Sequence, residues 1–241
     1  MFKLNTKRYL GNSVNAFMGL AVTTILATVA WGSQGLIQDR RVSLGEARQM
    51  ASSLKVNPQF PITVNEAVVK ELNRYLGTPD GREFIKMALA RLENHQSLVE
   101  RKLSEYGLPK ELMSLPIMES GYENLPQSTH PFHSAGVWQF IPQTARNYGM
   151  RVDANVDERL NVEKETDAAC RYLGSLNLRF QNWELVVLAY NAGENLVQQG
   201  VTKTGSKNAW TLIDQGFTGD TGYLPKMIAS LLIMNNPALL D

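Results

Sequence analysis

The sequence predicts a mostly α-helical protein. Most segments after residue 61 repeat apolar residues every three or four positions, helix start and stop residues flank these segments, and few segments show the alternate-residue pattern of strands. The 241 residues are 44% hydrophobic and 20% charged, enough apolar material for a core without disulfides or a structural metal.

Residues 1–33 stand apart from this pattern. Lys3, Lys7 and Arg8 precede a largely apolar run from Val14 to Trp31. Basic residues before such a run form the pattern of an export signal, with small residues near Thr28, Ala30 and Gly32 suited to cleavage. The run is nearly long enough to span a bilayer, so an uncleaved anchor with membrane association through residues 9–31 is the alternative. No cysteine lies near it, which excludes a cysteine-linked lipid anchor. The remainder is expected outside the cytoplasmic membrane, in the periplasm or on that membrane's outer face. Residues 34–61, with Gly, Ser, Gln and two prolines, read as a linker.

Residues 62–107 read as a small N-terminal helical subdomain. Thr63–Glu66 has the form of a capping box ahead of Val64, Val68, Leu72 and Tyr75, and Gly77 is a stop. Asp80 and Glu83 mark a second start before FIKMALARLENH. QSLVERKLSEYG reads as a third helix, closed by Gly107. Residues 108–241 read as the main domain. Pro109 opens a fourth helix. Later helices are expected along the stripe Val162, Thr166, Ala169, Leu173 and Leu176, over NWELVVLAYNAG, and over YLPKMIASLLIMNN, with irregular loops at 121–135 and 194–222.

The fourth helix carries the candidate chemistry. Counting back from Glu119 by four, three and four gives Leu115, Leu112 and Leu108, one stripe of a helix. Glu119 therefore points with the core leucines, in the last turn before Gly121. Desolvation and the negative helix end both disfavour its charged form, so its pKa should rise and keep a proton available near neutrality. Pro116 should bend this helix and open a cleft. A lone helix-end glutamate ordinarily turns outward or pairs with an arginine. Here SAGVWQFIPQ follows, where Gly136 permits close backbone approach, Gln139 offers an amide donor and acceptor, and Trp138 and Phe140 supply flat apolar area. An acid, an amide and aromatics around one cleft suit carbohydrate, although a tryptophan alone is commonly core.

Other constellations are weak. Net charge is +1 with no basic block, so no nucleic-acid partner is expected. His130 and His133 in THPFH have no clear third ligand, and no metal or other cofactor is assigned. The single cysteine, Cys170, lies beside an apolar stripe and reads as a small buried residue.

Three segments together, LPKELMSLPIMESGYEN, AGVWQFIPQTARNYG and LAYNAGE, resemble the lytic transglycosylase family with the soluble-lytic-transglycosylase (goose-lysozyme-like) domain, nearest its membrane-bound D subgroup. The resemblance runs from about residue 60 to 236. It implies a lysozyme-like helical fold and peptidoglycan glycan strands as partner. It implies cleavage of the β-1,4 bond between N-acetylmuramic acid and N-acetylglucosamine, leaving a 1,6-anhydro end. Glu119 falls on the family's single acid/base, Gln139 on a sugar-contacting glutamine, Gly136 on the glycine that lets the glycan approach, and Tyr190, with Asn191 beside it, on the tyrosine that orients the acid. GDTGYLPK is similar to the segment Glu-Thr-x-x-Tyr-Val-Pro-Lys, which puts Asp220 and Tyr223 among the substrate-binding positions, with Asp220 in place of Glu. The loop STHPFHSAG departs from the small-residue version common in the family. The sequence ends at Asp241 without the peptidoglycan-binding repeats frequent in the subgroup, so wall affinity is expected from the cleft, the N-terminal segment or a partner. Two other functions are compatible with the residues. One is a lysozyme- or chitinase-type hydrolase with Asp153 or Asp220 as second carboxylate; the other is a non-catalytic wall-binding protein.

Overall fold

Ser43 and Glu46 close a reciprocal capping box that starts α1 (Leu44–Ser53), inside the segment expected as linker. The computed structural model describes residues 41–241, so the expected export signal or membrane segment lies outside the described residues. Among the described residues, no helix is long and apolar enough to cross a membrane.

The next helices correct several expected boundaries. Asn65 caps α2 (Glu66–Leu76) by accepting from the Ala67 and Val68 N–H groups, so Thr63 is not the cap. The two helices expected after Gly77 are one, α3 (Pro79–Glu105), 27 residues capped by Thr78. The stretch NHQ between them carries no helix-breaking residue, so the backbone continues. Ile85, Ala88, Leu92, Val99 and Leu103 are its buried stripe.

Pro109 precedes a 3-10 turn, Lys110–Ser114, which passes directly into the short α4 (Leu115–Ser120). Pro116 thus does not kink a longer helix. It occupies the first turn of α4, where its missing N–H removes no internal bond. Leu112 and Leu115 are buried and Leu108 half-buried, but the expected stripe is not one helix: Leu108 precedes the 3-10 turn, Leu112 lies in it, and only Leu115 shares α4 with Glu119. Gly121, at φ +61°, ends α4 in the left-handed conformation.

Residues 121–141 are irregular apart from two isolated bridges, Leu125 to Gly136 and Ala135 to Phe140. Then come α5 (Pro142–Asn147), a 3-10 turn at Glu158–Leu160, α6 (Val162–Phe180) and α7 (Trp183–Ala192). The loop expected over 194–222 contains two helices, α8 (Glu194–Thr204) and α9 (Ala209–Asp214). Their stripes are short, and Val197 and Gly200 alone are buried in α8, so the apolar period is faint in the sequence.

The chain ends with α10 (Tyr223–Met234) and a 3-10 turn at Pro237–Leu240. From Leu224 to Ile233 every residue of α10 but Lys226 is buried, and α10 packs against α2, α4 and α7. Residues 62–107, expected as a small N-terminal helical subdomain, supply α2 and α3, whose buried residues belong to the same core cluster. Arg82 of α3 also donates to the carbonyls of Leu239 and Leu240 at 3.4 and 2.7 Å, which ties α3 to the end of the chain.

Candidate active site

Glu119 sits one residue before the end of α4 and lines a cleft of about 440 Å³. Its Oε1 accepts a hydrogen bond from the Tyr223 hydroxyl at the start of α10. Burial pushes the Glu119 carboxyl up to about 7, and the Tyr223 donor opposes part of that rise. Gln139, Tyr190 and Asn191 line the same cleft, together with His130, Phe132 and Tyr172. Among the described residues lining it, Glu119 is the one carboxyl.

The backbone of Val137 and Trp138 is the hub of this arrangement. Glu165 of α6, completely buried, accepts the Val137 N–H at 2.8 Å and the Trp138 N–H at 2.9 Å, one on each carboxyl oxygen. The carbonyls of the same two residues accept from Ser120 at 2.8 Å and from the Tyr190 hydroxyl at 2.8 Å. Both ends of the glutamate's surroundings are therefore bound to one dipeptide. Burial pushes Glu165 up to about 8 against the pull of the two N–H groups and nearby Arg159.

Arg159, also completely buried, fixes the loop that leads into the hub. It donates to the carbonyls of His133 and Phe140 at 2.6 and 2.8 Å and to Gln127 at 2.9 Å, and pairs with Asp157 at 2.7 Å. Asp157 is thus an anchor for a buried guanidinium.

Several expected roles change. Trp138 has no exposed surface and its Nε1 donates to Thr166 at 3.1 Å, so its ring is core and cannot stack on a ligand. Gly136 is buried at φ +84°, and a Cβ there would lie 2.2 Å from Glu165 Oε1. The glycine is therefore required by that packing, a role the sequence did not indicate. The tyrosine that touches the carboxyl is Tyr223, expected at a substrate-binding position, whereas Tyr190 bonds the Trp138 carbonyl. Asp220 lies outside the cleft lining. It accepts the Gly222 N–H at 2.8 Å and pairs with Lys226 at 2.8 Å. Gln139, at φ +56°, accepts from Ser134 at 2.8 Å and donates to the Gly136 carbonyl at 2.7 Å.

Other side chains are less central. Cys170 is buried, its thiol pushed up to about 12 by desolvation, which makes it a poor nucleophile. Among the described residues, no cluster of His, Cys, Asp and Glu could hold a metal ion. Glu165, Arg159 and Tyr172 were not singled out by the sequence. The one available signal was Glu165 itself, a charged residue four positions before Ala169 on an otherwise apolar stripe.

The mostly helical domain, with a desolvated carboxyl lining a cleft, agrees with the lysozyme-like fold that the resemblance implies. Residues 97–213 match the family described as "Transglycosylase SLT domain". The chain is 32% identical over 180 residues to membrane-bound lytic murein transglycosylase D of Escherichia coli K12, a match covering 73% of the chain and 38% of that relative. It is 29% identical over 122 residues to a putative tributyltin chloride resistance protein of an Alteromonas species, covering 50% of the chain and 58% of that protein. The chain thus spans well under half the length of the first of these relatives. Among solved structures, an inactive mutant of the lytic transglycosylase Slt from Pseudomonas aeruginosa superposes with a TM-score of 0.50 at 19% identity, over 60% of this chain and 24% of that one. At that identity the likeness is one of fold.

Proposed function

We propose that the protein is a peptidoglycan lytic transglycosylase that cuts the β-1,4 bond between N-acetylmuramic acid and N-acetylglucosamine without water. The observation that carries this reading is Glu119, the one carboxyl among the described residues lining the cleft, with its pKa raised to about 7. The similarity to a murein transglycosylase supports the substrate class.

In the proposed reaction, protonated Glu119 gives its proton to the glycosidic oxygen as the bond to the anomeric carbon breaks. The positive charge developing at that carbon is met by the substrate's own N-acetyl group. Glu119, now a carboxylate, takes the proton of the muramic acid 6-hydroxyl while that oxygen attacks the anomeric carbon. The attack is intramolecular, which saves the entropy of positioning a water. Tyr223 steadies the carboxylate between the two steps by donating to Oε1.

The runner-up is hydrolysis, which ordinarily uses a second carboxyl to direct water. Its two candidates are engaged elsewhere. Asp153 accepts from Arg151 and from the Asn155 and Val156 N–H groups, and Asp220 from Lys226 and the Gly222 N–H. Neither lines the cleft. This favours the non-hydrolytic reading.

The reading extends to an exported protein, in the periplasm or on the outer face of the cytoplasmic membrane. The test is release of soluble fragments from purified sacculi. Glu119→Gln should lower the rate by ~10²–10⁴-fold, the usual contribution of a general acid. Near-normal lysis by that variant removes Glu119 from the mechanism.

A further inference from the structure

Among the described residues Phe132 is the most exposed aromatic, 66% open to solvent, and it lines the same cleft as Glu119. An exposed apolar side chain is by itself ordinary. Phe132 differs because its loop is firmly held. Buried Arg159 grips the His133 carbonyl at 2.6 Å, the Ser128 N–H donates to the Ser134 carbonyl at 2.8 Å, and the His133 N–H donates to the His130 carbonyl at 2.8 Å. Ser134, at the end of this loop, donates to Gln139 across the cleft wall. The His130 ring stands beside Phe132, centroids 5.1 Å apart and planes tilted by 41°. The loop thus holds a largely exposed apolar ring in water, where burial would be favourable.

We propose that Phe132 and His130 form a sugar platform in which the Phe132 ring takes the apolar C–H face of one pyranose of a β-1,4-linked amino-sugar strand whose neighbouring bond lies at Glu119. A flat ring presented to a wet cleft matches the alternating apolar faces and polar edges of such a strand. The neighbouring imidazole supplies a hydrogen-bonding group for a hydroxyl or acetamido edge. The platform rests on the glycan-cutting reading and adds a binding position to it.

The experiment is titration calorimetry of a soluble β-1,4-linked N-acetylglucosamine oligomer into the Glu119→Gln protein, and into the same protein carrying Phe132→Ala or Phe132→Trp. Because Phe132 is exposed, neither change should move the melting temperature. Phe132→Ala should weaken binding by about tenfold, the scale of one aromatic contact, and Phe132→Trp should keep it. Binding by the Phe132→Ala protein within about twofold of its parent overturns the platform, as does a parent that binds no oligomer. Sacculus digestion by the wild-type protein reads the reaction separately. Anhydro ends with an indifferent Phe132 sink the platform alone. No cleavage with a Phe132-dependent affinity sinks the reaction alone.

Discussion

The hydroxyl of Tyr223, at the first residue of α10, donates to Oε1 of Glu119, 104 residues earlier at the end of α4. The bond spans two helices that pack against each other in the core, so the carboxyl is held by the fold and not by its own short helix. This contact lowers the pKa of Glu119 while burial raises it. Tyr223→Phe keeps the ring and removes the donor. The pKa of Glu119 should then rise above its present value of about 7, and the alkaline fall in activity should move to higher pH. The rate at the optimum should drop by ~10-fold, because the carboxylate formed midway loses a hydrogen bond. A pH profile of sacculus solubilisation for the two proteins reads both effects.

Glu119 also makes stability depend on pH. Its folded pKa of about 7 lies above the 4.5 of a free glutamate, so the folded protein holds the proton more tightly between those values. Stability from this group should fall as pH rises from 4.5 toward 7, and stay reduced above. Glu119→Gln has no charge to desolvate, so it should be more stable than the wild type at pH 8, by ~1–3 kcal/mol, and nearly equal to it at pH 4.5. Denaturant melts at the two pH values check this.

Gly136 should not tolerate a side chain. An alanine Cβ would lie 2.2 Å from Glu165 Oε1 and 2.3 Å from the Arg159 carbonyl, at a φ of +84° that L residues avoid. Gly136→Ala is expected to destabilise by ~2–4 kcal/mol, by overpacking and backbone strain together, and to lower activity through the Val137–Trp138 hub. Thermal melting of the purified variant measures it.

Trp138→Phe separates a core role from a binding role. The ring is buried and its Nε1 bonds Thr166, so the change should cost ~1–3 kcal/mol of stability through a small void and an unpaired hydroxyl. At a temperature where the variant is fully folded, its affinity for glycan oligomers should match the wild type. A large loss of affinity without a loss of stability contradicts the assignment of Trp138 to the core.

How much of this the sequence disclosed follows from how local each signal is. The burial of Glu119 was legible in part, because Leu112 and Leu115 precede it in a run of apolar residues and Gly121 marks the helix end, although these residues do not share one helix. The helix α7 was legible because a dense apolar run ends at Gly193, whereas its cap, Asn182, is seen only in the structure. The 3-10 turn before α4 was not, since Lys110–Ser114 has the same apolar spacing in either helix type. The contact of Glu119 with Tyr223 and the grip of Glu165 on Val137 and Trp138 join residues far apart in sequence, and no period links them. Residue type alone suggested Trp138 as a flat ligand surface, and the packing of its ring against Thr166, with no exposed surface, could not be read from the sequence.

The central claim is a reaction without water driven by one carboxyl. Mass spectrometry of the muropeptides released from purified sacculi tests it most directly. The account predicts fragments ending in 1,6-anhydro-N-acetylmuramic acid, lighter by one water than reducing ends, and their disappearance with Glu119→Gln. Reducing ends from the wild-type protein, or anhydro ends that persist in the variant, would contradict it.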